Sequence, residues 1–113
     1  MDVEQIRALA LALPEVTEAP HHAFASFRVA GRIFITLPPD GRHAHLFVGE
    51  SQREQALALH PTWIEPLLWG QKIAGVRVVL KRAKPPLVAL LVRQAWAFKA
   101  PRRLAPVPAA TGR

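Results

Sequence analysis

Apolar residues recur at helical spacing from the first turn of the chain. Val3, Ile6, Leu9, Ala10 and Leu13 form one stripe, which predicts an amphipathic helix over residues 2–13. Asp2 can accept from the free amides at its start, and Gln5 three positions on completes a capping-box pattern. Pro14 restricts Leu13 and stops the helix. The period then changes. Residues 24–29 and 32–37, Phe24-Ala25-Ser26-Phe27-Arg28-Val29 and Arg32-Ile33-Phe34-Ile35-Thr36-Leu37, read as strands around Ala30-Gly31. A two-residue loop with glycine supplies the positive φ of a tight hairpin. In that register Phe27 faces Phe34 and Arg28 faces Ile33. One face carries Phe27, Phe34, Val29 and Arg32; the other carries Phe24, Ile33, Ile35, Leu37 and Arg28. Both are partly apolar, so a face left uncovered by helices would offer hydrophobic area to a partner.

Pro38-Pro39-Asp40-Gly41 is a turn, and His43 to Val48 is the next strand. Ser51-Gln52-Arg53-Glu54 reads as a capping box that opens a short helix ending near Leu59, before His60-Pro61. Trp63 to Trp69 is irregular on pattern, with a short strand around Leu67–Gly70 as an option. Val76 to Leu80 is a strand with Val76, Val78 and Leu80 inward. Pro85-Pro86 falls in the first turn of a last helix, where a missing amide costs little. Its expected buried stripe is Leu87, Leu90, Leu91, Ala95 and Phe98, with Trp96 beside it. Lys99 suits the negative end of the helix dipole, and Pro101 ends the helix. The order α-β-β-β-α-β-α predicts an α+β, two-layer sandwich, an antiparallel sheet with helices packed on one face.

At 113 residues the chain is one domain, taken as 1–104, followed by a frayed Pro/Ala-rich tail over 105–113. There are no cysteines, which removes disulfides, thiolate zinc sites and cysteine nucleophiles. No apolar run approaches membrane-spanning length, and Met1-Asp2-Val3-Glu4 lacks the basic start of a secretory signal. A cytoplasmic protein without a membrane partner is expected.

Charge is one-sided. The formal net charge is +7, and every acid lies at or before Glu65. Beyond it come Lys72, Arg77, Lys81, Arg82, Lys84, Arg93, Lys99, Arg102, Arg103 and Arg113. Such a field favours polyanions. The expected nucleic-acid contacts are Lys72, Arg77, Lys81, Arg82, Lys84, Arg102 and Arg103, helped by Arg28 and Arg32. They would touch phosphates without reading sequence. The ordinary reading of the same charges is a solubilising surface. The last helix is too apolar to lie in a groove, so hairpin tips and loops would carry any base contact.

The remaining chemistry is sparse. His43 and His45 alternate on a strand, and His21-His22 precedes another, but no carboxylate is fixed beside them. No metal site is expected. Ser26 and Ser51 lack a local His/Asp arrangement, and there is no P-loop or dinucleotide fingerprint. No enzyme activity and no cofactor are expected. The three tryptophans and five phenylalanines are mostly core on this pattern, with Trp69-Gly70 the exception at an edge.

The run from His21 through Leu37, the pair Trp69-Gly70 and the ending Ala95-Trp96-Ala97-Phe98-Lys99-Ala100-Pro101-Arg102-Arg103-Leu104 resemble the MmcQ/YjbR family. Ala23, Ala25 and Val76 stand where relatives usually carry glycine, proline and tryptophan. The resemblance implies a frataxin-like sandwich and DNA binding, and it brings no catalytic set. Frataxin-like iron chemistry would need an acidic ridge, and Asp2, Glu4, Glu15 and Glu18 do not make one. An alternative the resemblance implies is sequestration of a small planar compound, in a pocket of His21, His22, Phe27, Phe34 and Trp69. A protein-interaction module using the uncovered sheet face is a third reading.

Overall fold

Helix α1 spans Val3–Leu11, and its expected capping box forms. Gln5 N–H donates to Asp2 Oδ1 at 3.0 Å, and Asp2 N–H donates to Gln5 Oε1 at 2.9 Å. The chain then makes four strands, β1 (Val16–His21), β2 (Phe24–Val29), β3 (Arg32–Leu37) and β4 (His43–Leu46). Helix α2 (Glu50–Leu59) leads to the hairpin of β5 (Ile64–Trp69) and β6 (Lys72–Val79). A short 3-10 turn, Leu80–Arg82, precedes helix α3 (Pro85–Lys99). This computed structural model describes residues 1–104; the tail expected at 105–113 lies outside the described residues.

The strands form one antiparallel sheet in the order β1-β2-β3-β4-β6-β5. The helices pack against it, and Ile6, Ala10, Val88, Val92 and Ala95 meet Phe27, Phe34, Ile35, Leu46, Val76 and Val78 in the core. The α+β two-layer class and the order of the expected elements stand. Two strands join them. β1 has an exposed, proline-containing sequence that hides its strand character, and β5 extends the optional short strand back to Ile64.

Local expectations change in three places. First, the hairpin register slips. Arg28 pairs with Ile33, but Phe27 pairs with Ile35, so Phe34 is an extra residue in β3. This bulge buries both Phe34 and Ile35, which simple alternation assigns to opposite faces. The turn itself behaves as expected, with Ala30 and Gly31 both at positive φ (49° and 84°). Second, α2 begins one residue earlier than Ser51 suggests. Gly49 is its N-cap, and no side chain caps it. Third, α3 is rotated. Val88, Leu91, Val92, Ala95 and Trp96 are buried, whereas Leu90 and Phe98 are exposed. Trp96 turns inward because its Nε1–H finds the Pro14 carbonyl at 3.0 Å. Among the described residues no helix is long and apolar enough to cross a membrane.

Candidate ligand-binding face

Strand pairing places Ala19, Ser26, Thr36, His45, Arg77 and Glu65 side by side across all six strands. Alternation sets this row opposite the core, on the face the helices leave open. Its centre is buried all the same. Ser26 is fully buried, and its hydroxyl donates to Ala19 O at 2.7 Å. Thr36 and His45 are also buried, with Thr36 Oγ1 and His45 Nδ1 3.2 Å apart.

Arg77 organises the polar end of this row. Its Nη1 is 3.5 Å from His45 Nε2, and its Nη2 is 3.3 Å from both ring nitrogens of His43. Its Nε is 3.4 Å from Glu65 Oε1. His43 Nδ1 lies 2.8 Å from Asp40 Oδ2. A guanidinium can only donate, so His45 Nε2 is an acceptor and Nδ1–H donates to Thr36 Oγ1. Burial, then the charges of Arg77 and His43, push the His45 pKa down to about 4. His45 is therefore a neutral imidazole at neutral pH.

Beside this row lies a cleft of about 300 Å³, lined by His21, His22, Phe24, His45, Phe47, Leu67, Leu68, Trp69 and Ala74. The floor comes from β2 and the β4 end, where the Phe24 and His45 rings lie 6.0 Å apart. One wall is the β1–β2 turn. His22 holds a left-handed backbone there (φ 59°), and its ring meets His21 at 4.9 Å. The other wall is the β5–β6 hairpin. A second register shift makes Ala74 the extra residue in β6: Leu67 pairs with Gly75, but Leu68 pairs with Ile73. Bulges bend strands and re-aim side chains, and here Leu67, Leu68 and Trp69 all reach the cleft. Gly75 permits the close approach, since a Cβ on it would sit 2.3 Å from the Leu46 carbonyl oxygen.

The structure sorts the sequence-predicted residues. His21, His22 and Trp69 share the cleft. Phe27 and Phe34 do not; both are fully buried on the helix-covered face, which corrects their assignment to the pocket. Phe24, Phe47 and His45 take their places. The alternation His43, His45, Phe47 was a visible signal for a shared face, whereas nothing in the sequence marks the bulge at Ala74.

The basic residues fall into separate places. Arg28 is half-buried on the open face, its Nε 3.4 Å from Ser26 Oγ. Arg32 is exposed beside the β2–β3 turn. Lys72 and Lys81 stand at opposite ends of β6, roughly 25 Å apart by strand rise. Arg82 and Lys84 are exposed between β6 and α3. Arg102 and Arg103 follow α3, where Arg103 makes a bidentate pair with Glu15 at 3.0 and 3.1 Å. Of the expected cations, Arg77 is the one at the centre of the open face. Among the described residues no group of three or more His, Asp or Glu side chains is placed to hold a metal ion.

The fold is similar to that of the Deinococcus radiodurans protein DR2400, a DUF419-domain protein known from a crystal structure. The TM-score is 0.71 at 22% identity, over 84% of this chain and 75% of that one. No curated protein matches the chain. The family model described as YjbR matches residues 11–98, and the chain belongs to the YjbR family.

Proposed function

We propose that this chain binds nucleic acid weakly, in single-stranded form, across the open face of its sheet. One observation carries the reading. The uncovered face presents Phe24, Phe47, Trp69 and two histidines around a cleft, next to Arg77, in a chain of net charge +7. Single strands are held in this way by proteins that stack bases on aromatic rings and track the backbone with cations. The scattered basic residues fit a duplex footprint less well, because no recognition helix joins them.

Trp69 is 75% exposed in the absence of a ligand, so a base stacking on it removes apolar area from water. Arg77, with its nitrogens shared among His43, His45 and Glu65, is pre-oriented rather than neutralised. Neutral His45 adds an uncharged edge to the floor of the cleft.

The test is fluorescence anisotropy of labelled single-stranded and duplex oligonucleotides at about 50 and 200 mM salt. Single strands should bind more tightly than duplex, with a log–log salt slope of about −0.7 per phosphate contact. Trp69→Ala should weaken binding by about 1–3 kcal/mol, the worth of one stacked base. Absence of binding at low salt, or duplex preference unaffected by Trp69→Ala, refutes the reading.

The closed ends of the cleft favour one second reading, a small planar ligand lodged between His21-His22 and Trp69. Salt-insensitive quenching of tryptophan fluorescence by planar aromatics, without oligonucleotide binding, would support it.

A further inference from the structure

Where β4 begins and β6 ends, the sheet has a second concavity that gathers positive charge. Gly41, Arg42, His43, Val79, Leu80 and Lys81 enclose about 530 Å³ there. The two segments are fastened together. Leu80 N–H donates to Arg42 O at 3.0 Å, and His43 pairs with Val79. Arg42 and Lys81, remote in sequence, therefore face one cavity. Both are exposed, and among the described residues neither is paired with a carboxylate.

Asp40 is the acid at the rim, and its oxygens are already committed. Oδ1 accepts from Arg42 N–H and Oδ2 meets His43 Nδ1, each at 2.8 Å. The Arg42 amide first, and then His43 and Arg77, hold its pKa below the usual carboxylate range against the opposing effect of burial. It thus offsets one charge while orienting two of the residues that line the cavity.

We infer that this concavity is a phosphate-group site continuous with the open-face cleft. Arg42 and Lys81 grip a phosphate, and the neighbouring base stacks in the cleft. The inference rests on the proposed nucleic-acid reading and gives the bound strand a path, from Trp69 past Arg77 to Arg42 and Lys81. The spacing suits that path. His45 lines the cleft and His43 lines the concavity, two residues apart on β4, or roughly 7 Å by strand rise. Arg77 touches both rings and bridges the two compartments.

The experiment compares the full chain with Arg42→Glu, Lys81→Glu and the double variant. Arg93→Glu, on the exposed side of α3, is the control for net charge. Binding of a labelled oligo-dT is followed by anisotropy at several salt concentrations, and tryptophan quenching at saturation reports the cleft. Arg42→Gln/Lys81→Gln, checked by thermal melting, guards against loss of fold. The double charge reversal should weaken binding about tenfold and make the salt slope shallower by about 1.4, two contacts' worth, with quenching at saturation unchanged. Arg93→Glu should leave the slope as it was.

Oligonucleotide binding with unchanged affinity and slope in the double variant overturns the phosphate site and leaves the proposed function standing. A separate arm adds inorganic phosphate and follows the Arg42 and Lys81 backbone amides by NMR. If the oligonucleotide does not bind but phosphate shifts those amides, and Arg42→Gln/Lys81→Gln abolishes the shifts, the site holds free phosphate and the strand-binding reading falls. If neither ligand binds, both fall.

Discussion

His45 makes stability depend on pH in a window where few other groups act. It is buried on the sheet, donates through Nδ1 to Thr36, and has the Arg77 guanidinium beside Nε2. Protonating it would bury a second cation against Arg77 and remove the acceptor. Its pKa is accordingly pushed down from an ordinary 6.5 to about 4, by burial first and then by Arg77 and His43. In the unfolded chain the imidazole titrates near its ordinary value. As pH falls from 6.5 towards 4, the unfolded state takes up a proton that the native state refuses. Stability is therefore full above 6.5 and declines below it.

Integrating that proton uptake gives a ceiling of about 1.8 kcal/mol lost between pH 7 and pH 5. Solvent near the rim of Arg77 screens part of it, so a loss of roughly 1 kcal/mol is expected. The lowered carboxylates of Glu15 and Asp40 do not confound this window, because their unfolded values are 4.5 and 3.8. Urea denaturation should show the midpoint falling by roughly 0.3–1 M between pH 7 and pH 5. His45→Gln should flatten that dependence, and the His45 ring proton should not titrate by NMR above pH 5. The reasoning fails if the wild-type midpoint is level across the window, or if His45→Gln keeps the same slope.

Other expectations follow from named contacts. Gly75→Ala places a Cβ 2.3 Å from Leu46 O and 3.1 Å from Phe47 Cα, both backbone atoms that cannot swing away. It should cost at least about 1–3 kcal/mol in urea denaturation, and an unchanged midpoint would mean that β4 and β6 do not approach this closely. Phe27→Ala should cost about 3–5 kcal/mol because its ring is fully buried in the core. Phe24→Ala should cost clearly less and instead abolish ligand-induced quenching, which reverses if the two faces are exchanged. Trp96→Phe loses the Nε1–H bond to Pro14 O at 3.0 Å and should lower stability by roughly 1 kcal/mol by thermal or urea unfolding. Arg103→Ala removes only an exposed pair with Glu15, and its melting temperature should match the wild type.

Helix positions were legible where local chemistry sets them. Asp2 and Gln5 announce α1, and Pro85-Pro86 announces α3, because caps and fixed φ act within one turn of chain. What the sequence does not display is tertiary. Trp96 turns into the core because Pro14, far away in sequence, offers its carbonyl, and that choice rotates the whole of α3. β1 is a strand because β2 pairs with it, although Val16-Thr17-Glu18-Ala19-Pro20-His21 has almost no apolar alternation. Gly49 rather than Ser51 caps α2, where the backbone alone decides the start.

The same limit explains the half-read cleft. His21, His22 and Trp69 are recognisable as polar or amphipathic aromatics at turns, and all three line it. Phe27 and Phe34 fail because alternation counts residues and a bulge adds one. With Phe34 inserted in β3, Phe27 comes to face Ile35 and the core. The bulge at Ala74 acts in the opposite sense and helps carry Leu67, Leu68 and Trp69 to the cleft. One irregularity thus completes the core and the other builds a wall of the site. Each breaks the period-two rule by a single residue. A face whose centre is sealed by paired polar groups, while its lip keeps Trp69 in water, keeps that ring available to a ligand without exposing the sheet beneath it.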